Sequence, residues 1–419
     1  MAQPRNPETS GRAAFAYPDF VLFQLARLIV VLGLEMQSVA VGWQVYEITR
    51  QPLALGFVGL AQFLPAILLF LVSGHAADRF DRRKLLTLCY AGFALCSGLL
   101  LYATYFRADS VSPIYVLLVL NGVVRSFSGP ASRAILSHLV REEHFPNAVA
   151  WNATVFQTAT LAGPALGGVV YAVFGSPSAV YASATLASAA AAVLTLRIRP
   201  RARQRVRQEV SLQTVLAGLR YIFHQKVVLG SISLDLFAVL FGGAVALLPV
   251  YARDILSAGP SGLGLLRSAP AIGALVTAVL LAHRPLRQRV GAILLWCVAG
   301  FGVFTILFGI SRSLVLSLFA LLMVGAFDMV SVIIRSTLVQ VTTPDHMRGR
   351  VTAVEMIFIG ASNELGAFES GLTAHWFGTV PAVVLGGVGS LLVTALWAYA
   401  FPALRKTDQI VRQESGDRR

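Results

Sequence analysis

Residues 53–73 and 85–105 hold no Asp, Glu, Lys or Arg. A bilayer core of roughly 30 Å is crossed by about 20 apolar residues in a helix. Runs of that kind recur near 20–45, 53–77, 84–105, 113–138, 147–174, 178–196, 227–251, 262–283, 290–311, 313–340, 350–377 and 380–402. A barrel would show short alternating segments, so these runs are helical. The predicted fold is an all-α membrane protein with twelve transmembrane helices. Composition agrees: 56% of the 419 residues are hydrophobic and 13% are charged, against about 25% charged in a soluble domain.

The formal charge of +14 raises the question of nucleic acid. Its distribution answers it. Twelve spans leave flanking segments on alternating sides, and the side with both termini collects 26 of the 34 Lys and Arg residues. The other side holds Arg50, Arg107, Arg253 and Arg312, and Arg27, Arg125, Arg267 and Arg335 fall within spans. That asymmetry is the positive-inside pattern, so both termini are expected in the cytoplasm and no nucleic-acid partner is expected. The expected location is a bacterial plasma or inner membrane, crossed many times.

Residues 1–17 read as a cytoplasmic tail, because the apolar run that follows is too long for a signal-peptide core. A basic stretch, RIRPRARQRVR from Arg197 to Arg207, follows the sixth span. It divides the chain into a six-helix bundle (18–197), a linker (198–226), a second six-helix bundle (227–403) and a tail (404–419). Within the linker, Leu212, Val215, Leu216, Leu219 and Ile222 fall at helical spacing, as in an amphipathic helix on the inner leaflet.

The halves match each other. Val45/Val250, Tyr46/Tyr251, Gly59/Gly264, Pro65/Pro270 and Ile67/Ile272 share an offset of 205. Arg133/Arg335, Leu136/Leu338, His144/His346 and Val149/Val351 share an offset of 202. A repeat in parallel orientation is the plan of a two-bundle transporter that exposes a midplane site to each side in turn.

The segment GHAADRFDRRK, Gly74 to Lys84, concentrates six charges between two apolar spans. Its arginines hold the loop inside, but Asp78 and Asp81 add little to orientation. The segment resembles the loop 2–3 motif of the major facilitator superfamily, G-x-x-x-D-R-x-G-R-R/K, through Gly74, Asp78, Arg79, Arg82 and Arg83; Asp81 stands where the motif has glycine. Arg125-x-x-x-Gly129 in the fourth span resembles that superfamily's helix 4 arginine motif, with Ser128 in place of its glutamine. Gly163-Pro164-Ala165-Leu166-Gly167-Gly168 in the fifth resembles its exporter motif. VAVGWQVYEIT (39–49), FVGLAQFLPA (57–66) and ASNELGAFESG (361–371) are similar to the siderophore-exporter-like, or transmembrane secretion effector, branch. The resemblance implies a latch in which Asp78 faces the start of helix 11 and Arg133, a proton-coupling role for Arg125, and export. Uptake, including delivery of a lipid-like molecule, is the alternative direction, and a monomer is the expected state.

No G-x-x-x-x-G-K-[ST] occurs, so transport driven by this chain's own ATP hydrolysis is not expected. That leaves an ion gradient or the small-molecule substrate's own gradient. Carboxylates inside spans are candidates for handling protons: Glu35, Asp235, Asp328, Glu355, Glu364 and Glu369. Glu35 and Asp235 rank first, because the first helix of each half lines the cavity in the superfamily. Glu355 and Glu369 share a helix face, with Glu364 opposite, and Glu355 is expected to pair with Arg350 or the loop 2–3 cations. Cys89, Cys96 and Cys297 form no pair at metal-ligand spacing, and the seven histidines form no H-E-x-x-H group. No metal, cofactor or enzyme activity is expected. A non-transporting sensor or scaffold remains a reading from a different class.

Overall fold

A computed structural model describes residues 13–106, 110–199, 212–284 and 288–407; among them no strand occurs. The Arg197–Arg207 stretch lies mostly outside the described residues. Contacts divide the chain into two units. The first holds 1–50, 61–210 and 258–268; the second holds 51–60, 211–257 and 269–419. Each unit therefore takes in one short stretch from the other half of the sequence, and these stretches carry the repeat-related Gly59 and Gly264.

In the first unit, helix α1 spans Pro18–Thr49. Pro18 opens it with a fixed φ, and Arg50 closes it in the left-handed region at φ 53°, its N–H donating to the Tyr46 carbonyl. Helix α2 (Pro52–Leu68) and helix α3 (Phe70–Arg79) break at Leu69. Pro65, one turn earlier, cannot donate a backbone hydrogen bond and bends the helix. The run expected at 53–77 is thus two helices.

Helix α4 (Arg82–Phe106) packs on α5 (Ser112–Leu136) and α7 (Pro177–Arg197); α1 packs on α6 (Phe145–Phe174) and α7. Phe20, Phe23, Leu86, Tyr90 and Ile135 form the core of this unit. The buried glutamines of α1 find partners on neighbouring helices. Ser97 donates to Gln37 at 2.5 Å, and Tyr181 donates to Gln44 Oε1 at 2.7 Å. Interhelical hydrogen bonds of this kind satisfy polar groups where water is excluded.

In the second unit, helix α8 (Leu212–His224) leads into α9 (Lys226–Phe241). A 3-10 turn (Ala244–Leu247), the short α10 (Leu248–Val250) and a π turn (Tyr251–Ile255) extend the run. Helices α11 (Gly259–His283), α12 (Val290–Ile310), α13 (Leu314–Thr342), α14 (Asp345–Phe377), α15 (Thr379–Ala400) and α16 (Pro402–Arg405) follow. The amphipathic helix is docked rather than free. Its Ile222 is fully buried with Val228, Ile232, Val339, Val351 and Val354, and Tyr221 donates to the Thr342 carbonyl at 2.8 Å. Leu216 and Phe223, by contrast, are exposed.

Among the described residues nine helices are long and apolar enough to cross a membrane. Helices α1 and α14 are not among these nine, and α2 is not because the break at Leu69 leaves it 17 residues long. Large apolar side chains such as Leu88, Trp296, Val315 and Tyr399 point outward. In an aqueous protein so many would be a liability; against lipid they are the favourable surface.

Candidate functional site

Among the described residues, a cluster of embedded charge stands out in each unit. In the first, Glu35 lies mid-way along α1, and the Arg125 and Arg267 guanidinium groups both act on its carboxylate through space. Arg267 is anchored: its Nη1 donates to the Ser38 carbonyl at 2.9 Å. Its neighbour Ser268 donates to the Leu161 carbonyl at 2.9 Å. Arg267 stands out in sequence as an arginine in an apolar span, but spacing alone does not place it beside Glu35.

The exporter-like stretch of α6 organises this cluster sterically. Gly163 and Gly167, one turn apart, face α1: a Cβ on Gly163 would run into the Glu35 side chain, and one on Gly167 would come within 2.7 Å of the Met36 backbone. Gly168 faces the start of α11, where a Cβ would lie 2.6 Å from the Pro260 carbonyl oxygen. Pro164 presents its carbonyl to Gly264, whose Cβ would sit 2.6 Å from it. Only residues without side chains allow backbones this close. Gly129, in the α5 arginine motif, has open space around it.

The second cluster is more deeply enclosed. Arg335 on α13 is 3% exposed, Asp235 on α9 is 7% and Glu355 on α14 is 8%. Arg335 Nη1 forms an ion pair with Asp235 Oδ2, and its Nε lies 3.5 Å from Glu355 Oε1. This replaces the expected partner of Glu355: Arg335, one helix over, takes the place proposed for Arg350 or the loop cations. The docked face of α8 sits a turn away on the same three helices, through Ile232, Val339 and Val354. Asp328, Ser331 and Arg335 lie on one face of α13 at the helical period. That spacing is readable in sequence; the convergence of α9 and α14 on it is not.

Asp235, Asp328 and Ser331 line a small cavity with Phe301, Phe327 and Val298. It has room for about one water molecule. The remaining acidic residues of α14 lie elsewhere. Glu369 accepts a hydrogen bond from Thr373 at 2.7 Å, and Glu364 lies against Gly59. Among the described residues no group of three or more His, Cys, Asp or Glu side chains is placed to hold a metal ion.

The charged turn behaves differently from the embedded clusters. Asp81 Oδ1 accepts from the Lys84 N–H at 3.1 Å. It caps the first turn of α4, as a short acidic side chain does at that position. The departure from glycine in the motif therefore has a local structural use. Arg82 Nη1 meets His138 Nε2, which must be the acceptor because arginine only donates. Arg83 donates to the Ile198 carbonyl at 3.0 Å. Arg79 and Arg133 are exposed and Gly74 is half-buried, while the Asp78 side chain lies outside the described residues.

An all-helical chain with apolar helices around embedded ion clusters has the fold of a multi-pass membrane transporter. A solved D-xylose-proton symporter superposes on 95% of this chain and 99% of its own, with a TM-score of 0.68 at 14% identity. The transmembrane secretion effector model matches residues 9–417, and the chain belongs to that family of the major facilitator superfamily. It is 27% identical to an enterobactin exporter of Escherichia coli O1:K1 / APEC over 94% of each chain. It is 22% identical to a staphyloferrin A transporter of Staphylococcus aureus strain NCTC 8325 / PS 47, over 90% of this chain and 95% of that one. These relatives are transporters, not enzymes, and the chain is a small-molecule transporter of that family.

Proposed function

We propose that the protein exports a small siderophore-like or drug-like molecule from the cytoplasm in exchange for protons, by alternating access. In this reading it is a lipid-embedded monomer with twelve membrane-crossing helices in two bundles and both termini cytoplasmic. The observation that carries it is embedded charge in both units: Glu35 with Arg125 and Arg267, and Asp235 with Arg335 and Glu355. Charge inside apolar helices is expensive and is retained where it handles substrates or ions.

The first cluster has two guanidinium groups to one carboxylate, and that surplus favours an anionic substrate. Export is supported by the Gly163–Gly168 packing and by the exporter among the relatives. Gly74, Asp78, Arg79, Arg82, Arg83 and Arg133 form the cytoplasmic latch in this reading.

The test begins with deletion of the gene and comparison of metabolites inside and outside the cell. The identified molecule is then offered to everted vesicles. An inside-acid gradient should drive its accumulation, and a protonophore should abolish that. Asp78→Asn should lower accumulation severalfold with normal insertion. Accumulation indifferent to the gradient would overturn proton coupling. Accumulation only in right-side-out vesicles would overturn export.

A further inference from the structure

We propose that Asp328 is the site where the coupling proton binds, in the cavity it shares with Asp235 and Ser331 in the second unit. This deepens the proton-coupled reading and rests on it.

The argument starts from a charge count. Two carboxylates, Asp235 and Glu355, hold the one guanidinium of Arg335, and a third, Asp328, shares a cavity with Asp235. Arg335 is engaged twice, by Asp235 and by Glu355. Among the described residues no hydrogen bond or ion pair reaches Asp328. Asp328 is half-buried, and a carboxylate in an apolar setting without a partner is costly to keep charged; it is relieved by taking up a positive charge.

A second observation says where that charge goes. Ser331 is 3% exposed, and its Oγ lines the cavity with no hydrogen-bond partner. Buried hydroxyls are normally satisfied, so an orphaned one facing a carboxylate marks a missing group. A proton on Asp328 supplies it. The acid's O–H donates to Ser331 Oγ, directly or through a single water, and the cavity has room for about one. A metal cation would need a shell of oxygens, whereas Phe301, Phe327 and Val298 form the other wall.

The groups facing Asp328 are few. Asp235 comes from α9 and Cys297 from α12; Arg335, two turns along α13, pairs with Asp235, and Glu355 on α14 acts through Arg335. The part of α11 in this unit carries no ionisable side chain before His283. The ion pair with Arg335 keeps Asp235 ionised, so the pair is neutral overall beside the cavity. Asp328 is then the member free to alternate, taking a proton from one side of the membrane and releasing it to the other.

Infrared difference spectroscopy on the full chain in lipid, titrated with pH, tests this. The wild type should show the carbonyl stretch of one protonated carboxylic acid that disappears as pH rises. Asp328→Asn, which mimics the neutral acid in shape and should insert normally, should remove that band. Ser331→Ala should keep the band but shift its frequency, because one hydrogen bond to the acid is lost. Saturating sodium chloride at fixed pH should leave it unchanged.

An unaltered band in Asp328→Asn, or an unshifted one in Ser331→Ala, would overturn the assignment. So would loss of the wild-type band on adding sodium, which would make the cavity a sodium site. The measurement needs no transported substrate. A titrating Asp328 in a protein whose transport ignores the pH gradient would therefore leave this site standing and remove the coupling reading.

Discussion

Arg133 and Arg335 stand at matching positions of the internal repeat, yet one is exposed and the other buried against two carboxylates. Close to Arg133, Arg27 on α1 donates to Ser132 at 2.5 Å and lies over the Phe156 ring. Around Arg335 the neighbours are Asp235 and Glu355. The same contrast holds for the clusters as wholes. The first unit has two arginines for Glu35; the second has two carboxylates for Arg335. A duplicated framework has been given opposite charge surpluses in these two clusters. The repeat fixes where helices run, and the few charged positions fix what each copy can bind.

The largest effect should come from removing the shared cation of the second unit. Arg335→Met leaves Asp235 and Glu355 buried with no counter-charge, a loss of about 3–5 kcal/mol for breaking a buried ion pair. Arg267→Met in the first unit should cost less, because Arg267 is half-buried and Arg125 still faces Glu35. Thermal unfolding of both variants of the purified full chain, side by side in one detergent, checks this. Equal losses would erase the difference in enclosure on which the comparison rests.

A smaller effect should separate the units by function. Gly163→Ala places a methyl against the Glu35 side chain and forces it aside, at an overpacking cost of about 1–3 kcal/mol. Substrate accumulation in everted vesicles should fall severalfold. The infrared band assigned to Asp328 should not move, because the change lies wholly within the first unit. A displaced band would mean that the two clusters share one electrostatic site.

What the sequence revealed follows from the range of each interaction. Apolar run length and the 3.6-residue period are local, so helices such as α4, α7, α12 and α15 lie close to where they are expected. The small residues of α6 were legible for the same reason: Gly163 and Gly167 recur one turn apart. The partners of charged residues were not legible, because they lie on helices distant in sequence. Glu355 has Arg350 near it in sequence, but Arg335 reaches it in space. Arg267 reaches Ser38 across more than two hundred residues. The Leu69 break could have been anticipated from Pro65. The docking of α8 could not, since an amphipathic face fits a leaflet and a protein groove equally well.

The smallest effect should come from the stretch that is most conspicuous in sequence. Asp81 is one of six charges in the turn before α4, yet its visible work is a single cap on the Lys84 N–H. Asp81→Ala should therefore lower stability by about 1 kcal/mol, the usual loss for an N-cap. Asp81→Gly, which restores the residue of the superfamily motif, should cost only a few tenths of that unit, because glycine is itself tolerated at the cap. Both variants should transport at the wild-type rate, since Asp81 is neither an embedded charge nor one of the proposed latch residues. Thermal unfolding combined with vesicle accumulation reads both quantities. If Asp81→Ala abolished transport while unfolding normally, Asp81 would act in the proposed latch beside Asp78 and not only as the cap of α4.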